Sequence, residues 1–302
     1  MGRTLLLLLA SSCASWPRLT TPPLPPPPGA EFVISRDGTR LYSSVDGEAR
    51  RGIVWFVVGP EIASTPLLPR LTDALHDAGF ATAVLHPRGA GYSDGLRGHV
   101  DDFSLLLEDN QRFLTSLQTR SPRVFLLGAS AGGAFALELA AQSSTSGLVL
   151  VNPAWKLRST PGMTPTLGDY LTFAANAVFR PSALTVDMNS KPEGVEFEPD
   201  RVEGLALQAD PFVVRYFSMR YLMQQGALMD RCGVNVERVT APLLIVQGAH
   251  DALVDPAGND ELLSRAASTD KTKHVASEGG HGPSAVETSV DVIVRWLAAR
   301  AP

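Results

Sequence analysis

The sequence predicts an α/β fold: a mostly parallel, eight-stranded sheet with helices on both faces and an inserted helical cap. Three observations predict it. Short apolar runs alternate with longer segments of helical periodicity, the rhythm of a parallel sheet covered on both sides. Several runs, such as GIVWFVV at 52–58, are apolar without interruption, as strands buried on both faces require. The rhythm breaks once, between about Ala154 and Arg238, where no long apolar strand run occurs.

The elements follow in order. Strands are expected at 31–35 and 40–45, around the turn Arg36-Asp37-Gly38-Thr39. The third strand is 52–58. A helix is expected over 67–78, where Leu67, Leu68, Leu71 and Leu75 keep helical spacing. A buried strand (80–85) precedes a helix over 100–117, with Asp101 and Asp102 near its N-terminus, where the dipole favours them. Strand 123–127 leads into an alanine- and leucine-rich helix, 131–142, and strand 147–151 follows. Beyond the cap come strand 242–246, helix 256–267, strand 273–276 and one last helix, 284–299.

The 302 residues, 44% hydrophobic and 19% charged, suit one large domain carrying an insertion. A net charge of −5 and the lack of any Lys/Arg-rich run argue against nucleic acid as a partner. Two cysteines, Cys13 and Cys232, with no CxxC or Cys/His cluster, argue against a structural zinc. No metal or organic cofactor is implied, and the oligomeric state has no signature in the chain.

Residues 1–12 read as a signal peptide: one arginine, then Leu5–Leu9, then small residues, too short to span a bilayer. Small residues before Cys13 resemble a bacterial lipoprotein signal, which would make Cys13 a lipid-attachment site. The alternatives are a plain signal with an incidental cysteine or a misplaced start codon. Residues 13–30 are a proline-rich linker with Pro25–Pro28 in a row, expected to be stiff and extended. Residues 31–154 and 239–302 form the core and 155–238 the cap. The expected location is the cell envelope, by export, with a membrane surface reached through lipidated Cys13.

Gly128-Ala129-Ser130-Ala131-Gly132 is a G-x-S-x-G pattern with an apolar strand running in and a helix running out. That context predicts a sharp turn that lifts the Ser130 hydroxyl above the sheet at a helix N-terminus. A serine nucleophile needs a base, and the base needs an orienting acid. Of six histidines, His281 sits in a glycine-rich loop just before the last helix and is the candidate base. His274 lies within a strand-like run, and His250 directly precedes the acid candidate. That candidate is Asp251, at the C-terminal edge of the sheet, where ligands of open α/β sheets bind. Its competitor Asp255 precedes Pro256 and a helix, and reads better as an N-cap.

These residues, with His86-Pro87-Arg88-Gly89-Ala90-Gly91-Tyr92-Ser93-Asp94-Gly95 after the fourth strand, resemble the monoacylglycerol lipase and lysophospholipase group of α/β-hydrolases, also called serine aminopeptidase-like. The likeness covers about residues 31–300 and is loose in the cap. It implies the α/β-hydrolase fold and a serine hydrolase with Ser130 as nucleophile, His281 as base and Asp251 as acid. It implies as substrate an ester of a single-chain lipid, a monoacylglycerol or lysophospholipid. The alternatives are a general carboxylesterase, thioesterase, N-terminal peptidase or acyltransferase, or a non-catalytic lipid-binding protein on the same fold. In the oxyanion hole, one donor should be the N–H of Ala131. The second departs from the group: the segment reads Val57-Val58-Gly59-Pro60-Glu61, and Pro60, which has no N–H, falls at the usual donor. Glu61 or Gly59 must then donate, or the hole is weaker. The cap holds every methionine except Met1, and Phe212, Tyr216, Met219 and Met223 recur as one apolar helix stripe. Such a stripe suits an acyl chain, or simply glues the cap to the core.

Overall fold

The computed structural model describes residues 24–61, 68–158, 167–187, 199, 205 and 209–302. The signal segment, Cys13 and most of the linker lie outside them. Eight strands form the main sheet: β1 (Glu31–Ile34), β2 (Arg40–Asp46), β3 (Gly52–Val57), β4 (Phe80–Leu85), β5 (Val124–Ala129), β6 (Gly147–Val151), β9 (Leu243–Gly248) and β10 (Lys271–Ala276). Their order is β1-β2-β4-β3-β5-β6-β9-β10. Only β2 pairs antiparallel with its neighbours; the rest is parallel.

The uninterrupted apolar strands are explained by two cores, one on each face. Along β3, Val54 and Phe56 join one core, while Ile53, Trp55 and Val57 join the other. The first face is covered by α1 (Pro69–Asp77) and two short helices, α7 (Pro283–Glu287) and α8 (Val290–Ala298), through Leu71, Leu75, Val286, Ile293 and Trp296. The second is covered by α2 (Phe103–Arg120), α3 (Ala131–Gln142) and α6 (Pro256–Arg265), through Phe113, Leu114, Phe135, Leu137 and Leu262. Side chains alternate across a strand, so an all-apolar run feeds both cores at once.

Two helix expectations shift. The helix expected from residue 100 begins at Phe103, because the Asp102 carboxylate accepts from the Ser104 N–H and caps it. The expected last helix is two, α7 and α8. Thr288 Oγ1 donates to the Ser284 carbonyl at 2.7 Å, and Ser289 leaves helical geometry at φ −114° and ψ 9°.

The cap, between β6 and β9, is less uniformly helical than expected. Besides α4 (Leu167–Phe179) and α5 (Met219–Asn235), it carries an antiparallel ribbon of β7 (Leu184–Asp187) and β8 (Tyr216–Ser218). The four-residue stripe therefore does not exist as one helix face. Tyr216 belongs to β8, Ser218 caps α5 by accepting from the Tyr221 N–H, and the helix starts only at Met219. Met219 is buried, whereas Met223 is 58% exposed. The spacing ran across a strand–helix junction that periodicity alone cannot see.

Candidate active site

The site is built on the turn between β5 and α3. Ser130 occupies that turn at φ 50° and ψ −123°, a left-handed value that L side chains rarely adopt. The flanking glycines are demanded by space. A Cβ on Gly128 would sit 2.8 Å from the Ala136 Cβ, and one on Gly132 would strike the Val57 carbonyl. Close approach of α3 to the ends of β5 and β3 thus holds the strain. Ala131 is the first residue of α3, so its N–H has no acceptor within the helix.

Ser130 Oγ lies 2.8 Å from His281 Nε2. On the far side of the ring, His281 Nδ1 lies 3.0 and 3.1 Å from the two oxygens of Asp251. An ionised carboxylate only accepts, so Nδ1 carries the proton and Nε2 accepts from the serine hydroxyl. Asp251 is buried, and burial opposes its ionisation. The bond and charge of His281, with the N–H groups of Leu253 and Val254, overcome this and hold its carboxyl below the usual range. Those two N–H groups both donate to Oδ1, at 2.7 and 2.9 Å, leaving Oδ2 to the imidazole alone. Asp255 stands apart as the N-cap of α6, accepting from the Ala257 N–H. His250 is exposed and gives its backbone N–H to Gly279; His274 lies within β10.

One residue of the site escaped sequence reasoning. Asn152, fully buried at the end of β6, donates from Nδ2 to the carbonyls of Gly280 (2.8 Å) and His281 (3.1 Å), and accepts at Oδ1 from the Gly248 N–H (2.7 Å). It therefore ties the loop of His281 to the strand that leads to Asp251. Its φ of 43° is the conformation asparagine tolerates better than most residues. An asparagine closing an apolar strand, in Val151-Asn152-Pro153, was the available signal.

At the second oxyanion position, Pro60 offers no N–H. Glu61, the expected substitute donor, brings its side chain to this corner: a Cβ built on Gly59 would collide with Glu61 Oε2. That carboxyl accepts at Oε1 from the Tyr221 hydroxyl (2.8 Å) and from the Gln225 amide, both on α5. The Glu61 carbonyl accepts from the Val214 N–H at 2.8 Å. Burial pushes the carboxyl above its ordinary range. His86, pushed down to about 3 by burial, is neutral and accepts at Nδ1 from the Tyr92 N–H. Among the described residues, no cluster of three His, Cys, Asp or Glu side chains could hold a metal, and no helix is long and apolar enough to cross a membrane.

The profile of the serine aminopeptidase (S33) family matches residues 49–285, most of the chain. The chain belongs to this family. Within it, the chain is similar to the monoglyceride lipase of Mus musculus, 30% identical over 193 residues, which are 61% of this chain and 60% of that protein. It is also similar to the monoacylglycerol lipase of Mycolicibacterium smegmatis, 30% identical over 64% of this chain and 68% of that protein. The match thus spans about 60% of the length of the mouse relative. Among solved structures, the monoacylglycerol lipase of Paleococcus ferrophilus superposes with a TM-score of 0.72 at 25% identity, covering 86% of this chain and 99% of that one. The fold is therefore that of the α/β-hydrolases. Within this S33 frame, the Ser130–His281–Asp251 chain is an arrangement that can deprotonate a hydroxyl as it attacks a carbonyl.

Proposed function

We propose that this protein is a serine hydrolase cleaving carboxylic esters of single-chain lipids, monoacylglycerols or lysophospholipids. The observation that carries the reading is the chain of contacts from Ser130 Oγ through both nitrogens of His281 to Asp251, at a strained strand–helix turn. Ser130 Oγ attacks the ester carbonyl as His281 Nε2 takes its proton. Asp251 holds the tautomer and balances the imidazolium. His281 then returns the proton to the leaving alcohol, and water repeats the sequence on the acyl-enzyme. The Ala131 N–H supplies one oxyanion bond. The lipid assignment is supported by S33 relatives named for monoacylglycerol lipase activity and by apolar side chains on α4, where Leu167, Leu171, Val178 and Phe179 are all exposed.

Chain length tests the substrate class. Each buried methylene contributes about 0.8 kcal/mol, so kcat/KM should rise about fourfold per methylene until the acyl site is full. A p-nitrophenyl ester series from acetate to palmitate, with 1-monoacylglycerols and two-chain phospholipids alongside, checks this. Medium or long single chains are expected to win. A preference for acetate excludes the lipid reading.

Asn152→Ala should lower kcat/KM by roughly 10- to 100-fold, since small misplacement of a catalytic group has effects of this size. Steady-state kinetics on p-nitrophenyl butyrate measures it, and an unchanged value would show that the His281 loop holds without the amide.

We also propose that Cys13 is lipidated and anchors the protein in the cell envelope. The support is sequence alone: Leu5–Leu9, then Ser11-Ser12-Cys13, then the proline linker. Stable anchoring takes more than one acyl chain, as a mature lipoprotein cysteine carries. In a bacterial host, Cys13→Ser is expected to shift the protein from the membrane fraction to the soluble one. A mature N-terminus beyond residue 13, read by mass spectrometry, rules anchoring out.

A further inference from the structure

The loop after β3 is short of oxyanion donors. Pro60, at the usual donor position, has no N–H. A carboxyl group stands in that place. A Cβ built on Gly59 would collide with Glu61 Oε2 and would lie 3.2 Å from the Ala131 Cβ. Oε2 therefore sits over Gly59, beside the residue that follows the nucleophile. The tight fit of this corner is shown again by Gly132, whose Cβ would lie 3.2 Å from the Gly59 nitrogen. The other oxygen, Oε1, takes two donors from the cap, Tyr221 Oη–H and Gln225 Nε2–H. Both cap contacts fall on Oε1, and among the described residues no other residue donates to Oε2, which makes it the oxygen to carry a proton. No ion pair reaches Glu61 among the described residues.

We propose that the neutral carboxylic acid of Glu61, oriented by Tyr221 and Gln225 on α5, donates from Oε2 the second hydrogen bond to the oxyanion formed at Ser130. This rests on the hydrolase reading above and assigns a catalytic side chain to the position where Pro60 brings no N–H. A buried carboxylic acid kept neutral is a competent oxyanion donor, because it presents a strong O–H where a carboxylate could only repel. Burial raises the Glu61 carboxyl, in the direction this role needs. Among the described residues, Glu61 meets Gly59, Val214, and Tyr221 and Gln225 of α5. Of these only Tyr221 titrates, and burial pushes its phenol far above neutrality. Cap and oxyanion hole are thereby joined: α5 sets the donor that the chemistry uses.

The test is kcat, KM and the pH profile of wild type, Glu61→Ala and Glu61→Gln on p-nitrophenyl butyrate, a substrate without a glycerol or phosphate head group. Glu61→Ala removes the donor and should lower kcat by about 10²- to 10³-fold with KM changed less than about threefold. Glu61→Gln keeps an N–H donor and an acceptor for Tyr221 and Gln225. It should lose less than about tenfold in kcat and should lack the loss of activity that the wild type shows as Glu61 ionises with rising pH. If Glu61→Ala does not fold, the near-isosteric Gln variant decides through its pH profile. A Glu61→Ala kcat equal to or above wild type shows that the carboxyl merely fills the hole and overturns the proposal. So does a Gln variant as impaired as Ala, or one whose alkaline limb superimposes on that of the wild type. Each of these, with wild-type activity still dependent on Ser130, leaves the hydrolase reading standing. Wild-type activity that does not need Ser130 removes that reading and this inference together.

Discussion

Ser130→Ala is expected to lower kcat on p-nitrophenyl butyrate by at least about 10⁴-fold. The size follows from what the hydroxyl does: it is both the attacking atom and the proton source for His281 Nε2, 2.8 Å away. The variant should stay folded, because Ser130 gives its neighbours mostly backbone. Its N–H donates to Val151, and its carbonyl accepts from Gly133 and Ala154; none of these bonds needs the side chain. A thermal melt within a few degrees of wild type, alongside the lost turnover, separates chemistry from unfolding. Undiminished turnover in a folded variant removes the nucleophile assignment.

Asp251→Asn is expected to be nearly as damaging, about 10⁴-fold in kcat, with the backbone unmoved. The geometry dictates the outcome. Oδ1 accepts from the N–H groups of Leu253 and Val254, so the amide oxygen of Asn must take that place. Its NH2 then faces His281 Nδ1, which has to accept. The imidazole proton moves to Nε2, which can no longer take the proton of Ser130. The pH dependence follows from the direction of the Asp251 shift. Its folded pKa lies below the ordinary value of 3.8, so its contribution to stability is present above that value and is lost only as pH falls through the lowered one. Asp251 therefore stays ionised through the neutral range and contributes no limb to kcat/KM there. Crystals or spectra of the Asn variant should show an intact loop. A kcat near that of wild type would mean that the imidazole does not depend on Asp251.

Much of the frame was legible in the chain because local signals and tertiary structure agreed there. The central strands were readable because a strand fed by two cores is apolar throughout, as β3 is with Trp55 on one face and Phe56 on the other. Ser130 was readable because its strain forces glycine at 128 and 132, and Asp255 declared itself an N-cap through Pro256. The cap was legible only as an interruption. Its apparent helix stripe mixed Tyr216 of β8 with Met219 of α5, since the Ser218 cap marks the boundary through a hydrogen bond that no hydrophobic period encodes. The break between α7 and α8 was hidden for a similar reason: Ser289 leaves helical geometry within a stretch whose apolar spacing runs on. Asn152 and the Glu61 side chain could not be placed at all, because each acts through partners far away in sequence. Asn152 reaches Gly248, Gly280 and His281, and Glu61 reaches Tyr221 and Gln225.

Covalent labelling with a fluorophosphonate, followed by peptide mapping, tests the central claim most directly. The probe reacts only where a serine is activated by a base and an oxyanion hole is at hand. The account predicts one adduct per chain, on the peptide carrying Gly128-Ala129-Ser130-Ala131-Gly132, abolished by Ser130→Ala and strongly slowed by Asp251→Asn. No adduct on the folded wild-type protein, or an adduct on any other serine that survives Ser130→Ala, would contradict it.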